Sequence, residues 1–299
     1  MKVRIISDST ADLVKEVKEK LHIVPLTVHF GNEEYIDGVT IDHHGFYEKL
    51  VETDVHPTTS QAIPKDFEKE FRKVQEAGDS AVVITVSSEF SGTYQSAVIA
   101  AEDYENIYVV DSGSVAIGAG ILAEYALKLQ EEGLDAPAIA ARLEEVKSRI
   151  VIVALVNTLE YLKRSGRVSK GIALAGTVLN IKPVLAVEQG KISLLGQARG
   201  SKQGNNLLVQ EIQKSGGVDF SMPVLLGYTG LSDALLRKYI EDSRFIWEKG
   251  LEEVRYTTIG SVIGTHVGPG AVAAAYFRKE QEFDPEKRKS IWLQMLFLH

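Results

Sequence analysis

Short runs of apolar residues alternate with amphipathic segments through the first half of the chain. The runs are rich in β-branched residues, which is typical of buried parallel strands. They lie at residues 3–6, 23–30, 80–86 and 106–110. Helices are predicted at residues 11–20, 42–53, 95–101, 115–130 and 137–149, with another that starts at Pro64. This alternation predicts an α/β domain over residues 1–150, with a doubly wound and mostly parallel sheet.

The pattern changes in the second half of the chain. Two apolar runs, 181–187 and 191–195, are separated by Glu188-Gln189-Gly190, which is the spacing of a β-hairpin. Further strands are predicted at 150–156, 223–228 and 254–263, and helices at 201–215, 233–247 and 271–278. We therefore predict a second, α+β domain over residues 151–278, with a mixed or antiparallel sheet. Residues 279–299 form a C-terminal extension, whose apolar end we interpret as a terminal helix packed on the body, with contact to a membrane surface as the alternative.

Composition narrows the possible functions. The 299 residues are 44% hydrophobic and 25% charged, as in ordinary globular proteins, and the net charge of −8 argues against a nucleic-acid partner. There is no cysteine, and the seven histidines show no metal-binding spacing, so we expect neither a metal nor another cofactor. The N-terminus does not resemble a signal peptide, and no apolar run approaches the ~20 residues of a membrane span. We expect a cytoplasmic protein without stable membrane insertion.

Polar residues collect where predicted strands end. The segment 87–92 joins a buried strand to a helix, and Ser91-Gly92 lies at the start of that helix. Ligands of open α/β sheets bind at such ends, and the free amides of a helix N-terminus attract anions. Taken alone, Ser91 is better explained as a helix N-cap than as a ligand-binding residue. The glycines of Gly118-Ala119-Gly120 lie inside a predicted helix, so we interpret them as packing positions and not as a dinucleotide-binding loop.

Several short motifs occur along the chain in a fixed order. They are Ser-Asp-Ser-Thr-Ala-Asp at 7–12, Thr-Ser-Gln at 59–61, Ser-Gly-Thr-Tyr-Gln-Ser-Ala at 91–97, Val-Asp-Ser at 110–112, Thr-Leu-Glu-Tyr-Leu-Lys at 158–163, Gly-Arg at 166–167, Ile-Lys-Pro at 181–183 and Gly-Thr-His-Val-Gly-Pro-Gly at 264–270. Together they resemble the motifs of the DegV family of fatty-acid-binding proteins, across nearly all of residues 1–278. Each motif is short, and their order and spacing make the resemblance specific.

The resemblance implies a two-domain protein that holds a long-chain fatty acid in an apolar tunnel, with its carboxylate between the domains, and presents it to a separate fatty acid kinase. It places the carboxylate-binding site at Thr59, Ser60, Ser91, Gly92 and His266. Hydroxyl, amide and imidazole groups suit this role, because a desolvated carboxylate must be met by hydrogen-bond donors. On its own, His266 would be interpreted as an ordinary structural histidine. Because Pro269 suits a first helical turn, we expect the imidazole to lie beside a second helix start.

The resemblance also assigns Arg167 and Arg199 to the portal that faces the kinase. Without it, both would be interpreted as solvated surface charges. Ser165 departs from the family pattern, which often has a second glycine there, so the turn before Arg167 could differ.

Two other functions remain open at this stage. A serine hydrolase that acts on acyl esters would use Ser91 and His266, although Glu89-Phe90-Ser91-Gly92-Thr93 lacks the first glycine of a nucleophile elbow and no acid partner is evident. A sugar- or nucleotide-binding regulator has no supporting motif. No phosphate-binding loop of a nucleotide-dependent enzyme is present in the sequence, so we expect a binding protein and not an enzyme.

Overall fold

The structure, a computed structural model, describes residues 2–168 and 180–280. Its strands are β1 (Val3–Asp8), β2 (His22–Val24), β3 (Thr27–Phe30), β4 (Glu33–Ile36), β5 (Thr58–Ser60), β6 (Ser80–Thr85), β7 (Ile107–Asp111), β8 (Ile150–Leu155), β9 (Ile181–Glu188), β10 (Lys191–Arg199), β11 (Leu225–Tyr228), β12 (Tyr256–Thr258) and β13 (Val272–Phe277). Its helices are α1 (Lys15–Lys18), α2 (His43–Glu52), α3 (Pro64–Glu76), α4 (Thr93–Ala101), α5 (Ala116–Glu131), α6 (Ala136–Val146), α7 (Glu160–Arg164), α8 (Gly200–Lys214), α9 (Ala234–Asp242), α10 (Arg244–Trp247) and α11 (Ser261–Val267). Apart from residues 279 and 280, the predicted C-terminal extension lies outside the described residues.

The N-terminal sheet confirms the predicted parallel α/β architecture. Its strand order is β2-β1-β6-β7, and all three pairings are parallel. Every residue of β6 is buried, as expected for a central strand that is covered on both faces. Helices α3 and α4 pack on each other and on this sheet, and so do α5 and α6. The carboxyl ends of β1 and β6 are therefore neighbours at one edge, where ligands of such sheets bind.

The C-terminal sheet confirms the predicted mixed sheet but corrects two of its elements. Its order is β10-β9-β8-β13-β11-β12, and only the pairing of β11 with β12 is parallel. Residues 271–278 were predicted as a helix, because alanine favours helices. They form β13, which is buried along its whole length between β8 and β11. The predicted strand 254–263 is instead the short β12 followed by α11.

The second predicted parallel strand, residues 23–30, also differs from the prediction. The chain forms two strands there, β2 and β3, which belong to different sheets and are separated by Pro25 and Leu26. Part of the predicted loop 57–61 is β5, which pairs with β3 in a third sheet of order β4-β3-β5. The predicted helices 11–20 and 233–247 are shorter, namely α1 in the first case and α9 with α10 in the second. The helix at residues 42–53 is confirmed as α2, with Asp42 as its N-cap.

Helix α5 is the element shared by the two large sheets. It contacts β1 and β6 of the parallel sheet and β8, β11 and β13 of the mixed sheet, and most of its residues are buried. A helix that is apolar on all sides must lie inside the protein. One hydrophobic core consequently includes residues of both sheets, and the predicted domain boundary at residue 150 stays a prediction.

Two glycines allow α5 to approach its neighbours closely, which confirms their interpretation as packing positions. A Cβ at Gly118 would collide with the Ser114 side chain and would lie 2.7 Å from Ile152 Cδ1 on β8. A Cβ at Gly120 would collide with the backbone carbonyl oxygen of Asp12. The second contact is the stricter one, since a backbone oxygen cannot rotate away as a side chain can.

We predict that Gly120→Ala destabilises the protein although alanine is the better helix former. Overpacking a tight core contact costs about 1–3 kcal/mol, against a gain of up to ~1 kcal/mol in helix propensity. Gly118→Ala should lose less stability than Gly120→Ala, because the side chains it meets can adjust. Urea unfolding of the three proteins measures both differences. A Gly120→Ala protein as stable as the parent would contradict this account of the packing.

Candidate functional site

A cavity of about 640 Å³ lies beside the carboxyl ends of β1 and β6. Its walls come from the segments that follow β1 and β6, from β8, β9, β10 and β13 of the mixed sheet, from the start of α5, from β5 and from α11. Its volume falls within the range of small-molecule sites, about 300–1,000 Å³. Most of the lining is aliphatic, and this includes Ile117, Ile152, Ala154, Leu185, Val187, Ile192, Ile263 and Ala273. The fold therefore provides an apolar chamber between its two large sheets.

The polar residues of the lining come from separate parts of the chain and approach one another. Thr59, Ser60 and Gln61 come from β5 and the residue after it, Ser91 and Gly92 precede α4, Arg167 follows α7, and His266 lies on α11. All five residues predicted for the carboxylate site therefore line one cavity, as does Arg167. Arg199, at the exposed end of β10, is not among the residues that line it.

His266 forms the most specific contact of this group. Its Nε2 lies 2.9 Å from the hydroxyl oxygen of Thr59, which is 207 residues away in the chain. Its Nδ1 is buried and has no hydrogen-bond partner among the described residues. The prediction that His266 lies beside a helix start is wrong. It occupies the last turn of α11, and Gly268, with φ of 75°, ends that helix.

The surroundings keep the His266 imidazole uncharged. Burial, and after it the nearby charge of Arg167, lower the pKa of His266 from 6.5 to about 4. At pH 7 one ring nitrogen is therefore a donor and the other an acceptor. If the Thr59 hydroxyl donates to Nε2, then Nδ1 carries the proton and can donate it to an anionic ligand. Because the unfolded chain binds this proton at higher pH than the folded protein, the imidazole reduces stability as the pH falls from about 6.5 to about 4.

Ser91 and Gly92 form the start of α4. The Ser91 hydroxyl oxygen accepts a hydrogen bond from the Thr93 amide at 3.2 Å and lies 2.9 Å from the Thr93 hydroxyl. Gly92 is the N-cap residue, and the amides of Gly92 and Tyr94 donate to no described residue. These amides, together with the positive end of the helix dipole, favour a negative charge in the cavity. Ser91 therefore organises the first turn, and it also lines the cavity.

Gln61 is a lining residue that was quoted as part of a motif but not predicted as a site residue. Its carboxamide packs so closely on Gly92 that a Cβ at position 92 would collide with it. The Gln61 Nε2 also donates to the Ser96 hydroxyl at 3.1 Å. Its place directly after Thr59 and Ser60 was the signal that could have identified it. A larger residue at position 92 would have to displace the Gln61 carboxamide.

Thr59 and Ser60 have different roles, although they are adjacent. Neighbouring residues of a strand point to opposite faces, and Thr59 contacts His266 while the Ser60 hydroxyl lies 2.8 Å from His29 Nε2 on β3. Thr59 is thus the better placed of the two hydroxyls to meet a ligand together with His266. Ser60 lines the cavity but directs its hydroxyl to another histidine.

Arg167 lies after a helix end that forms normally in spite of Ser165. Gly166, with φ of 70°, ends α7, its amide donates to the Lys163 carbonyl, and the Arg167 amide donates to the Leu162 carbonyl. The Arg167 side chain is exposed, donates to the Ser165 carbonyl at 2.6 Å and lines the cavity. A cation is therefore available at the rim of the chamber, close enough to His266 to lower its pKa.

We predict that Arg167→Ala raises the pKa of His266 towards 6.5, because a nearby positive charge opposes protonation of the ring. Arg164→Ala is the matched control, since Arg164 is an exposed arginine at the end of α7, three residues before Arg167, and pairs with Glu160. NMR titration of the histidine resonances, assigned with a His266→Gln variant, measures the change. Equal shifts in the two arginine variants would instead indicate an effect of net charge alone.

Two other features are absent from residues 2–168 and 180–280. No helix in this part of the chain is both long and apolar enough to cross a membrane. Nor does this part contain a group of three or more histidine, aspartate or glutamate side chains that could hold a metal ion.

Comparisons with known proteins identify the family. Residues 2–279 match the family described as "Uncharacterised protein, DegV family". A DegV domain-containing protein of Caldanaerobacter subterraneus is 33% identical over 290 residues, which cover 93% of this chain and 99% of that protein. Among solved structures, a fatty-acid-binding DegV family protein of Thermus thermophilus has a TM-score of 0.82 at 30% identity, covering 93% of this chain and 100% of the other. A stearic acid-binding protein of Eubacterium ventriosum has the same TM-score and identity, covering 93% and 99%. The chain therefore belongs to the DegV family.

Proposed function

We propose that this protein binds a long-chain fatty acid, with the alkyl chain in the apolar chamber and the carboxylate against Thr59, Ser91, the Gly92 amide and His266. The observation that carries the proposal is that a mainly aliphatic lining and a group of hydrogen-bonding residues meet in one cavity. The similar proteins of Thermus thermophilus and Eubacterium ventriosum, which are described as binding fatty acids, support it.

The energetics of the two parts of such a ligand differ. Each buried methylene contributes about 0.8 kcal/mol before the cost of ordering the chain, so the chamber supplies most of the affinity. The carboxylate loses water on entry and must regain hydrogen bonds, since an unpaired buried charge costs several kcal/mol. The neutral His266, the Ser91 hydroxyl and the α4 amides supply donors, and Arg167 supplies a positive charge at the rim. The polar group therefore determines the orientation of the ligand.

The hydrolase alternative has little support in this geometry. The Ser91 hydroxyl lies against Thr93, and the His266 Nε2 lies against Thr59, so the two residues do not form a nucleophile–base pair. No carboxylate among the described residues accepts a hydrogen bond from His266 Nδ1, as a triad would require. We therefore propose a binding protein without catalytic residues of its own.

We further propose that the protein presents the carboxylate to a separate fatty acid kinase. This second proposal rests on the family resemblance. The exposed Arg199, outside the cavity, is suited to contact a partner and not the ligand. Arg167 lies at the rim, where it can contact the carboxylate and a docked partner in turn. This arrangement assigns the two arginines different roles.

We expect the purified protein to carry a long-chain fatty acid, at about one molecule per chain. Denaturing extraction followed by mass spectrometry identifies and counts it, with an unrelated protein purified from the same host as the control. Recovery of a sugar or a nucleotide, and no fatty acid, would contradict the proposal.

Ser91→Ala and His266→Ala should each weaken fatty-acid binding by about ten- to a hundredfold, because a hydrogen bond to a charged group contributes about 1.5–3 kcal/mol. Arg199→Ala is the control: its ligand content should be unchanged, while phosphorylation of the bound fatty acid by a cognate kinase slows, and slows further as salt screens the remaining charges. Fluorescent fatty-acid titration and a phosphorylation assay separate the two effects. Loss of ligand from Arg199→Ala, with normal binding by the other two variants, would reverse the assignment.

A further inference from the structure

Helix α11 is attached to the small β4-β3-β5 sheet at both of its ends. At its start, the Ser261 hydroxyl donates a hydrogen bond to the Asp37 carboxylate. At its end, the His266 Nε2 contacts the Thr59 hydroxyl oxygen. Ser261 and His266 are five residues apart, or about 7.5 Å along a helix. The two contacts therefore fix the helix along its length and not at one point.

The two attachment points on the sheet are themselves held at a constant separation. Thr27, on β3, pairs with Ile36 of β4 on one side and with Ser60 of β5 on the other. Asp37 directly follows Ile36, and its amide donates to the Leu26 carbonyl at 3.0 Å. Asp37 and Thr59 are thus anchored to the same short strand. The sheet and the helix form a closed ring of contacts in which neither can slide without breaking one of them.

The contact at the start of the helix lies away from the cavity and is deeply buried. Asp37 is 3% exposed and Ser261 is fully buried, and neither is among the residues that line the cavity. A buried carboxylate is stable only if donors meet it, so this hydrogen bond cannot be released cheaply. Beside it, the Gly260 amide donates to Asp12 at 2.9 Å, which supports the same end of the helix.

We infer that Asp37 is a positioning residue for His266: through Ser261 and α11 it sets the place of the imidazole against Thr59 in the cavity wall. This inference rests on the proposed function, in which the imidazole meets the carboxylate of a fatty acid. It extends the carboxylate site to a residue that the ligand does not touch. Binding geometry of this kind depends on the residues that hold the contacting side chains in place.

The test compares Ser261→Ala with Ser243→Ala. Ser243 is also a fully buried serine with side-chain hydrogen bonds, to Tyr239 and Trp247, but it lies between α9 and α10, away from α11. The first readout is the ¹⁵N NMR spectrum of the His266 ring in ligand-free protein, which reports its tautomer and its hydrogen bond to Thr59. The second is the ¹³C resonance of bound stearic acid labelled at its carboxyl carbon, together with its affinity.

We expect Ser261→Ala to change the His266 ring resonances, to shift the carboxyl resonance and to weaken stearate binding by about two- to tenfold, which is less than for His266→Ala because the imidazole is displaced and not removed. Ser243→Ala should change none of these. Asp37→Ala should behave like Ser261→Ala, and Asp37→Asn, which retains an acceptor for Ser261, should restore the parental spectra. If the unpaired Asp37 carboxylate prevents Ser261→Ala from folding, the double variant Asp37→Asn/Ser261→Ala is used instead, because it removes the buried charge.

The inference would be overturned if Ser261→Ala left the His266 ring and the carboxyl resonance as they are in Ser243→Ala. Failure of the parent protein to bind stearate or any other fatty acid would instead contradict the proposed function. In that case the ligand-free spectra would still decide whether Asp37 positions His266.

Discussion

The close packing of α5 between the two large sheets is the constraint on which the rest of the structure depends. Gly118 and Gly120 bring the helix near enough to β8 and to the backbone at Asp12 that the two sheets share one hydrophobic core. The start of α5 then forms one wall of the cavity, and β8, β9 and β13 contribute others. The chamber is therefore a product of how the sheets meet, and neither sheet encloses it alone.

Burial also determines the chemistry at the polar part of the chamber. An imidazole with a pKa of about 4 is neutral at physiological pH and can bind an anion only through a hydrogen bond. With its Nε2 against Thr59, and with Ser91 against Thr93, the groups that a hydrolase would couple are separated. The serine and histidine that suggest catalysis in the sequence form separate hydrogen-bonding groups here, which is consistent with a binding protein.

The small β4-β3-β5 sheet and α11 hold Thr59 and His266 in position. Thr59 and His266 meet where the small sheet and α11 are joined, and a second contact between them, Ser261 with Asp37 after β4, lies at the other end of the helix. A short helix of seven residues has little stability of its own, since isolated helices below ~12–15 residues are marginal in water. Its position must come from such tertiary contacts, and so must the position of any side chain it carries.

Local patterns in the sequence were sufficient for the parallel sheet, the α2 and α5 helices, the β9–β10 hairpin and the packing role of the α5 glycines, because each depends on periodicity or on small residues within one segment. They failed for β13, where the helix preference of alanine is overridden by pairing with β8 and β11 on its two sides. They failed also for α11, and with it for the surroundings of His266.

Motif order identified the family and named residues that line one cavity, but it could not separate the inward Thr59 from Ser60, or the rim Arg167 from Arg199. Those distinctions depend on the alternation of side chains along a strand and on contacts between residues up to 207 positions apart in the sequence. Such contacts form only in the folded structure.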